Sequence, residues 1–181
     1  MYYVRKLSKP SSLFKLQALD NFQNIPADFL GQDLRTSANT LSVWRSESLN
    51  QEDINKAINA ALLASSQVNT SQFLIIDSDA LEQAGIRTDD TEPGITGYSG
   101  LEGLHTNLCD LTYEKIGCVL QIYCKYCKDK QRTPKIDKGQ FKQIIISANE
   151  AHCLNMKVLQ EHMQKEVQQV LDSAVKGNVQ Q

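Results

Sequence analysis

No apolar run in this chain approaches the ~18–20 residues needed to cross a bilayer, so a membrane-spanning helix is excluded by reading alone. The opening residues, MYYVRKLSKPSS, lack an apolar signal region and a small-residue cleavage site, which sets the expectation of a cytoplasmic protein. Cysteine is sparse and odd in number, five in 181 residues, and no spaced framework joins them. Reduced thiols are therefore expected rather than structural disulfides. Net charge is also nearly absent: 19 basic against 21 acidic residues leave a formal −2, which argues against a protein that coats nucleic acid with its whole surface. Nine glycines and four prolines are too few for a low-complexity chain. Gly97 and Gly100 flank Tyr98 and Ser99, but no Lys-Thr pair follows at the spacing of a phosphate-binding loop.

The charge that is present is divided. Residues 77–102 hold seven acids and one base; residues 124–142 hold seven bases and two acids. Such polarity within a nearly neutral chain speaks for docking on charged partners. A length of 181 residues suits one well-buried core.

Local patterns place a strand at residues 2–7, rich in aromatic and β-branched types and stopped by Pro10. Ser11 or Ser12 is expected to cap a helical piece running to Leu19. A short helix is expected over 25–34, with Phe29, Leu30 and Leu34 on one face. Residues 40–46 alternate with period two around Trp44, so a strand covered on both faces follows. Asn50 caps a helix whose stripe is Ile54, Ala57, Ile58, Ala61 and Leu62, with Glu52 and Asp53 in the first turn. Residues 72–76 form an apolar interior strand, completing a strand–helix–strand unit. Asp79 and Glu82 suggest a capped short helix ended by Gly85.

Residues 86–103 contain five glycines or prolines and four acids without periodicity, which predicts a long loop. Helical spacing then recurs over 107–129 through Leu108, Leu111, Lys115, Ile116, Val119, Leu120, Tyr123 and Cys127. Two further helices are expected, over 141–153 and 154–175, the latter with a stripe of Val158, Leu159, Met163, Val167, Val170 and Leu171. The expectation is a single α/β or α+β domain: a small sheet with flanking helices over 1–106, a helical third over 107–175, and a frayed tail over 176–181.

Several groups invite a chemical reading. Cys124 and Cys127, with His152 and Cys153, have zinc-ligand chemistry, but the first pair falls at a helix end and adjacent His-Cys chelates poorly. Neither a metal nor a cofactor is expected. Asp77 and Asp79 follow a strand, where a magnesium ion for phosphoryl chemistry can sit, although such turns favour Asp for capping alone. His105 has the pKa range of a general base but no neighbouring nucleophile pattern.

The expected function is a non-catalytic protein-interaction subunit: an accessory, immunity or antitoxin-like partner in a bacterial complex. Asp89, Asp90 and Glu92 on the acidic loop, and Lys125, Lys128, Lys130, Arg132 and Lys135 on the basic connector, are its candidate partner-binding residues. Two alternatives stand beside it. One is an enzyme acting on nucleotide or nucleic acid through the acidic site with His105; the other is a nucleic-acid-binding module using 125–142. Self-association is open in either case.

Overall fold

The computed structural model describes residues 1–8, 17 and 33–178. Six strands, β1 (Tyr2–Lys6), β2 (Leu41–Ser46), β3 (Ser71–Asp77), β4 (Arg87–Asp89), β5 (His105–Cys109) and β6 (Lys135–Ile136), form one sheet in the order β4-β5-β2-β1-β3-β6. Every neighbouring pair is antiparallel. Five α-helices are described: α1 (Gln51–Leu63), α2 (Ser78–Gln83), α3 (Tyr113–Tyr126), α4 (Lys138–Glu150) and α5 (Glu161–Asn178). The mixed class expected from the patterns is thus present. The helices expected over 11–19 and 25–34 lie outside the described residues, save Gln17 and the buried Asp33 and Leu34.

Alternation along the strands explains the layering. Tyr3, Leu41, Val43, Leu74, Ile76 and Leu108 point to one face, where α2 and α3 close a core around Leu81, Val119, Leu120 and Tyr123. Val4, Trp44, Phe73 and Ile75 point to the other, where α1, α4 and α5 contribute Ile58, Leu62, Phe141, Ile145, Met163 and Val167. A strand buried on both faces reads as a continuous apolar run, as β3 does. The β2–α1–β3 unit exists, but β1 lies between its two strands, so β2 and β3 are parallel through an antiparallel intermediary. Asn50 caps α1 by accepting from the Asp53 amide. α2 begins one residue earlier than expected, after Asp77 rather than at Asp79, and Gly85 ends the turn at φ 65°.

Two expectations of helix are corrected, and a strand is added. Residues 105–109 are a strand, and α3 starts only at Tyr113, because Asp110 adopts a left-handed φ of 54° and Thr112 caps the new helix. Residues 135–136 add the short edge strand β6. α4 ends at Glu150: His152, at φ 56°, turns the chain, and residues 151–160 carry only a 3₁₀ turn before α5 begins. Val158 consequently leaves the expected stripe and is exposed, whereas Leu159, Met163, Val167 and Val170 are buried in the second core.

Candidate functional site

Two pieces of surface meet at one end of α1: the acidic segment and a groove beside it. The last carbonyls of an α-helix are short of helical partners, and here the acidic segment bonds two of them, that of Leu63 and that of Ala60, which also accepts the Ala64 amide. The Gly97 amide donates to the Leu63 carbonyl at 3.0 Å, and the buried Thr96 hydroxyl donates to the Ala60 carbonyl at 2.8 Å. Further bonds fasten the segment on both sides. Gly94 donates to the Glu102 carbonyl at 2.9 Å, Ser99 to that of Cys153 at 2.7 Å, and Asn155 back to that of Gly97 at 2.8 Å.

The glycines are required by proximity. A Cβ on Gly94 would lie 2.6 Å from the His105 Cβ and 2.7 Å from the Trp44 ring, and one on Gly97 would lie 2.4 Å from a Leu159 methyl. The expectation of one irregular loop over 86–103 is therefore corrected: Arg87–Asp89 is strand β4, Glu102–Leu104 is a 3₁₀ turn, and the intervening chain is pinned to α1.

Fastened in this way, the segment buries Thr96 and packs Tyr98 on the second core, and leaves Asp90, Glu92, Pro93 and Ile95 exposed. Asp89 accepts from the Thr91 hydroxyl at 2.7 Å and from its amide at 3.0 Å, which holds its carboxyl below the usual range. Asp90 pairs with Arg45 at 2.5 Å. Glu92 and Pro93 are exposed, and Ile95 is 76% exposed.

The inner side of this segment walls a groove of about 840 Å³. Lys6, Trp44 and Ser42 contribute from the sheet, Ser65 and Thr70 from the end of α1 and the chain after it, and His105 from β5. The Trp44 and His105 rings meet edge to face with centroids 5.4 Å apart. His105 Nδ1 lies 3.3 Å from the Glu92 carbonyl. The Lys6 ammonium donates to the Ser65 hydroxyl at 2.6 Å, and burial lowers its pKa to about 8. Sequence reasoning passed over Lys6, Ser65 and Ile95. Lys6 ends a strand pattern, Ser65 follows a helix, and only their convergence across 59 residues gives either a role.

The basic connector is arranged otherwise. Arg132 points inward, 2.9 Å from the Asp77 carboxylate and 3.8 Å from that of Asp129. Its guanidinium also lies over the rings of Tyr126, at 4.5 Å, and Tyr2, at 5.5 Å. The Tyr126 hydroxyl donates to the same Asp77 carboxylate at 2.5 Å. Burial acts to raise the Asp77 pKa, but the bonds from Tyr126 and Arg132 outweigh it and the net shift is downward. Burial, then the bond to Asp77, pushes Tyr126 up to about 12. Arg132 and Asp77 are thus a structural clamp between the connector and β3. Lys125, whose ammonium lies 5.1 Å from the Tyr126 ring centroid, remains exposed, as do Lys128, Lys130 and Lys135.

The remaining sequence candidates do not converge. Asp79 sits on α2, which packs on the first core, while His105 packs on Trp44 of the second. Asp77 and His105 are three strands apart, about 14 Å of sheet at the usual strand spacing. Cys124 and Cys127 pack on the first core, with burial pushing both thiols up, whereas His152 and Cys153 follow α4 on the opposite face. Among the described residues, no group of three or more His, Cys, Asp or Glu side chains is placed to hold a metal.

No protein-family model matches the chain, and neither a curated protein nor a solved structure is significantly similar to it.

Proposed function

We propose that this chain is a non-catalytic interaction subunit whose docking surface is the outer side of residues 89–95. The observation that carries the reading is the combination of a fastened backbone with outward side chains. Hydrogen bonds at Gly94 on one side and at Thr96, Gly97 and Ser99 on the other hold the chain around Ile95, which stands 76% exposed near Glu92 and Pro93. An apolar side chain held rigidly in water gains nothing for the isolated fold. In a complex it serves as an anchor, because its ordering cost is already met in the free protein. The acids Asp89, Asp90 and Glu92 around it favour a partner protein with an apolar recess rimmed by lysine or arginine, and they accelerate encounter at low salt. A cytoplasmic accessory subunit of the immunity or antitoxin type in a bacterial complex fits this mode of action.

The test is comparative capture from the native cell, with the wild-type chain, Ile95→Asp and Glu92→Lys as baits. A partner recovered by the wild type should fall at least about tenfold with Ile95→Asp, equivalent to ~1.4 kcal/mol. It should fall further as salt rises, with all three baits melting within a few degrees of one another. Recovery of the same partner at wild-type level by Ile95→Asp would overturn the proposal.

A further inference from the structure

The ladder between β1 and β2 runs from Tyr2–Ser46 to Val4–Trp44 and stops there. Beyond that point β1 stays with β3, through Arg5–Leu74, Lys6–Phe73 and the Leu7 amide on the Gln72 carbonyl. β2 stays with β5, through Ser42–Asn107 and Leu41–Leu108. The central strands therefore part, and the groove opens where they do. Arg5 reaches across the gap, its guanidinium donating to the Ser42 carbonyl at 2.7 Å and to that of Asp33 at 3.2 Å.

The groove is unusual in its charge. Among the described residues it is lined by Arg5, Lys6 and His105, and by one acid, Glu92. The Lys6 ammonium has the Ser65 hydroxyl as its hydrogen-bond partner, and no carboxylate among the described residues pairs with it. The Ser65 hydroxyl itself donates to the Ala61 carbonyl at 3.0 Å, so it faces Lys6 as an acceptor. An ammonium carries three donors, and one is used in this way. Desolvating a cation against a neutral partner is unfavourable, and an oxyanion brought to it restores the missing charge. The hydroxyl and amide groups of Ser42, Ser66, Asn69 and Thr70 line the same space. Its volume matches a metabolite rather than a bare ion or a protein segment.

We propose that this groove binds a small organic oxyanion, a carboxylate or phosphate ester, seated on the Lys6 ammonium where β1 and β2 separate. Glu92, Pro93 and Ile95 border this groove as well as forming the proposed docking surface. The two readings are separated by Lys6→Met, which leaves Ile95 and the three acids in place: it should weaken probe binding and leave partner capture unchanged.

The experiment uses the whole chain at constant ionic strength, with inorganic phosphate and succinate as probes. Saturable binding of one or both is expected by calorimetry, accompanied by a rise in melting temperature, since a ligand that binds only the folded state stabilises it. Lys6→Met should weaken that binding at least about tenfold. Phosphate alone binding assigns a phosphate ester, and succinate alone a carboxylate. A second readout needs no variant: the bound probe should slow acylation of Lys6 by an amine-directed acetylating reagent, located by peptide mass spectrometry, without slowing it at exposed Lys142. The proposal is overturned if neither probe binds saturably, if Lys6→Met binds as wild type, or if Lys6 is acylated equally fast with and without the probe.

Discussion

Residues 86–103 and 124–142 are the two oppositely charged segments of the chain, and the fold uses them in opposite ways. The acidic segment is fastened mainly through its backbone, with the Thr96 hydroxyl beside it, to the end of α1 and to residues 153–155, and keeps Asp90 and Glu92 exposed. The basic segment is fastened through a side chain: Arg132 enters between Asp77 and two tyrosine rings, while its lysines remain outside. Anchorage made mostly through the backbone leaves the side chains of Glu92 and Ile95 available for a partner. A side-chain anchorage removes the most versatile donor from that role, because a guanidinium fixed by a carboxylate and aromatic rings has little left to offer. The difference favours the acidic side for the proposed docking surface.

The strongest way to break the comparison is to remove what lies beneath the acidic segment. Leu159 is buried against Gly97, and Leu159→Asp should cost about 3 kcal/mol by leaving a carboxylate unpaired in the core. Urea denaturation measures this, and a change under 1 kcal/mol would show that the segment does not rest on α5 and its approach.

Arg132→Ala addresses the other side. It takes away the Asp77 ion pair and the stacking on Tyr126 and Tyr2, all partly shielded, and about 2 kcal/mol should be lost. The pH dependence has a definite sign. The folded-state pKa of Asp77 is lowered, so its contribution is present above the unfolded carboxylate range and is lost as pH falls through the folded value. The difference between wild type and Arg132→Ala should therefore be full at pH 6 and shrink on acidification below about pH 4.

Gly94→Ala probes the close approach to His105 and Trp44. About 1–2 kcal/mol should be lost as the neighbours shift, with a change in tryptophan fluorescence because Trp44 is the only tryptophan. Lys6→Met, by contrast, relieves the desolvation of an ammonium and should be neutral or stabilising by up to about 1 kcal/mol at pH 7. The folded pKa of Lys6, about 8, lies below its unfolded value. Wild-type stability should thus rise between about pH 8 and 10, closing the gap to the variant. The smallest effect belongs to Asp89, Asp90 and Glu92 changed together to Lys. Only the exposed Asp90–Arg45 pair is lost among ion pairs, so less than about 1 kcal/mol is expected while association with a basic partner weakens.

Much of this architecture was legible along the chain. The period-two run around Trp44, the apolar run of β3 and the Asn50-capped stripe of α1 each match the element that forms. Their signals are local: side chains alternate or recur because one face is buried. The misread stretches share a different cause. In β5, Leu108 and its helical-spaced neighbour Leu111 outweighed the alternation of His105 and Asn107 with Thr106 and Leu108, and the break is made by a left-handed Asp110 rather than a glycine. Likewise His152 turns the chain between α4 and α5 without glycine or proline to mark it.

The candidate site was legible in part. The charge split was visible, but charge alone does not reveal whether a residue faces in or out. Arg132 meets Asp77 across 55 positions, and Lys6 meets Ser65 across 59. Such pairings belong to the sheet order, which no local pattern encodes.

The central claim is that the acidic segment is held in one conformation by its backbone and does not move freely in water. Amide hydrogen exchange of the free protein tests it most directly, because exchange rates report whether a hydrogen bond opens locally or only with the whole fold. The account predicts that the amides of Gly94, Gly97 and Ser99 are protected at least about a hundredfold over unfolded rates, and that Leu159→Asp removes this protection. Exchange of those three amides at unfolded rates in the wild-type protein would contradict it, and the docking surface would have no rigid support.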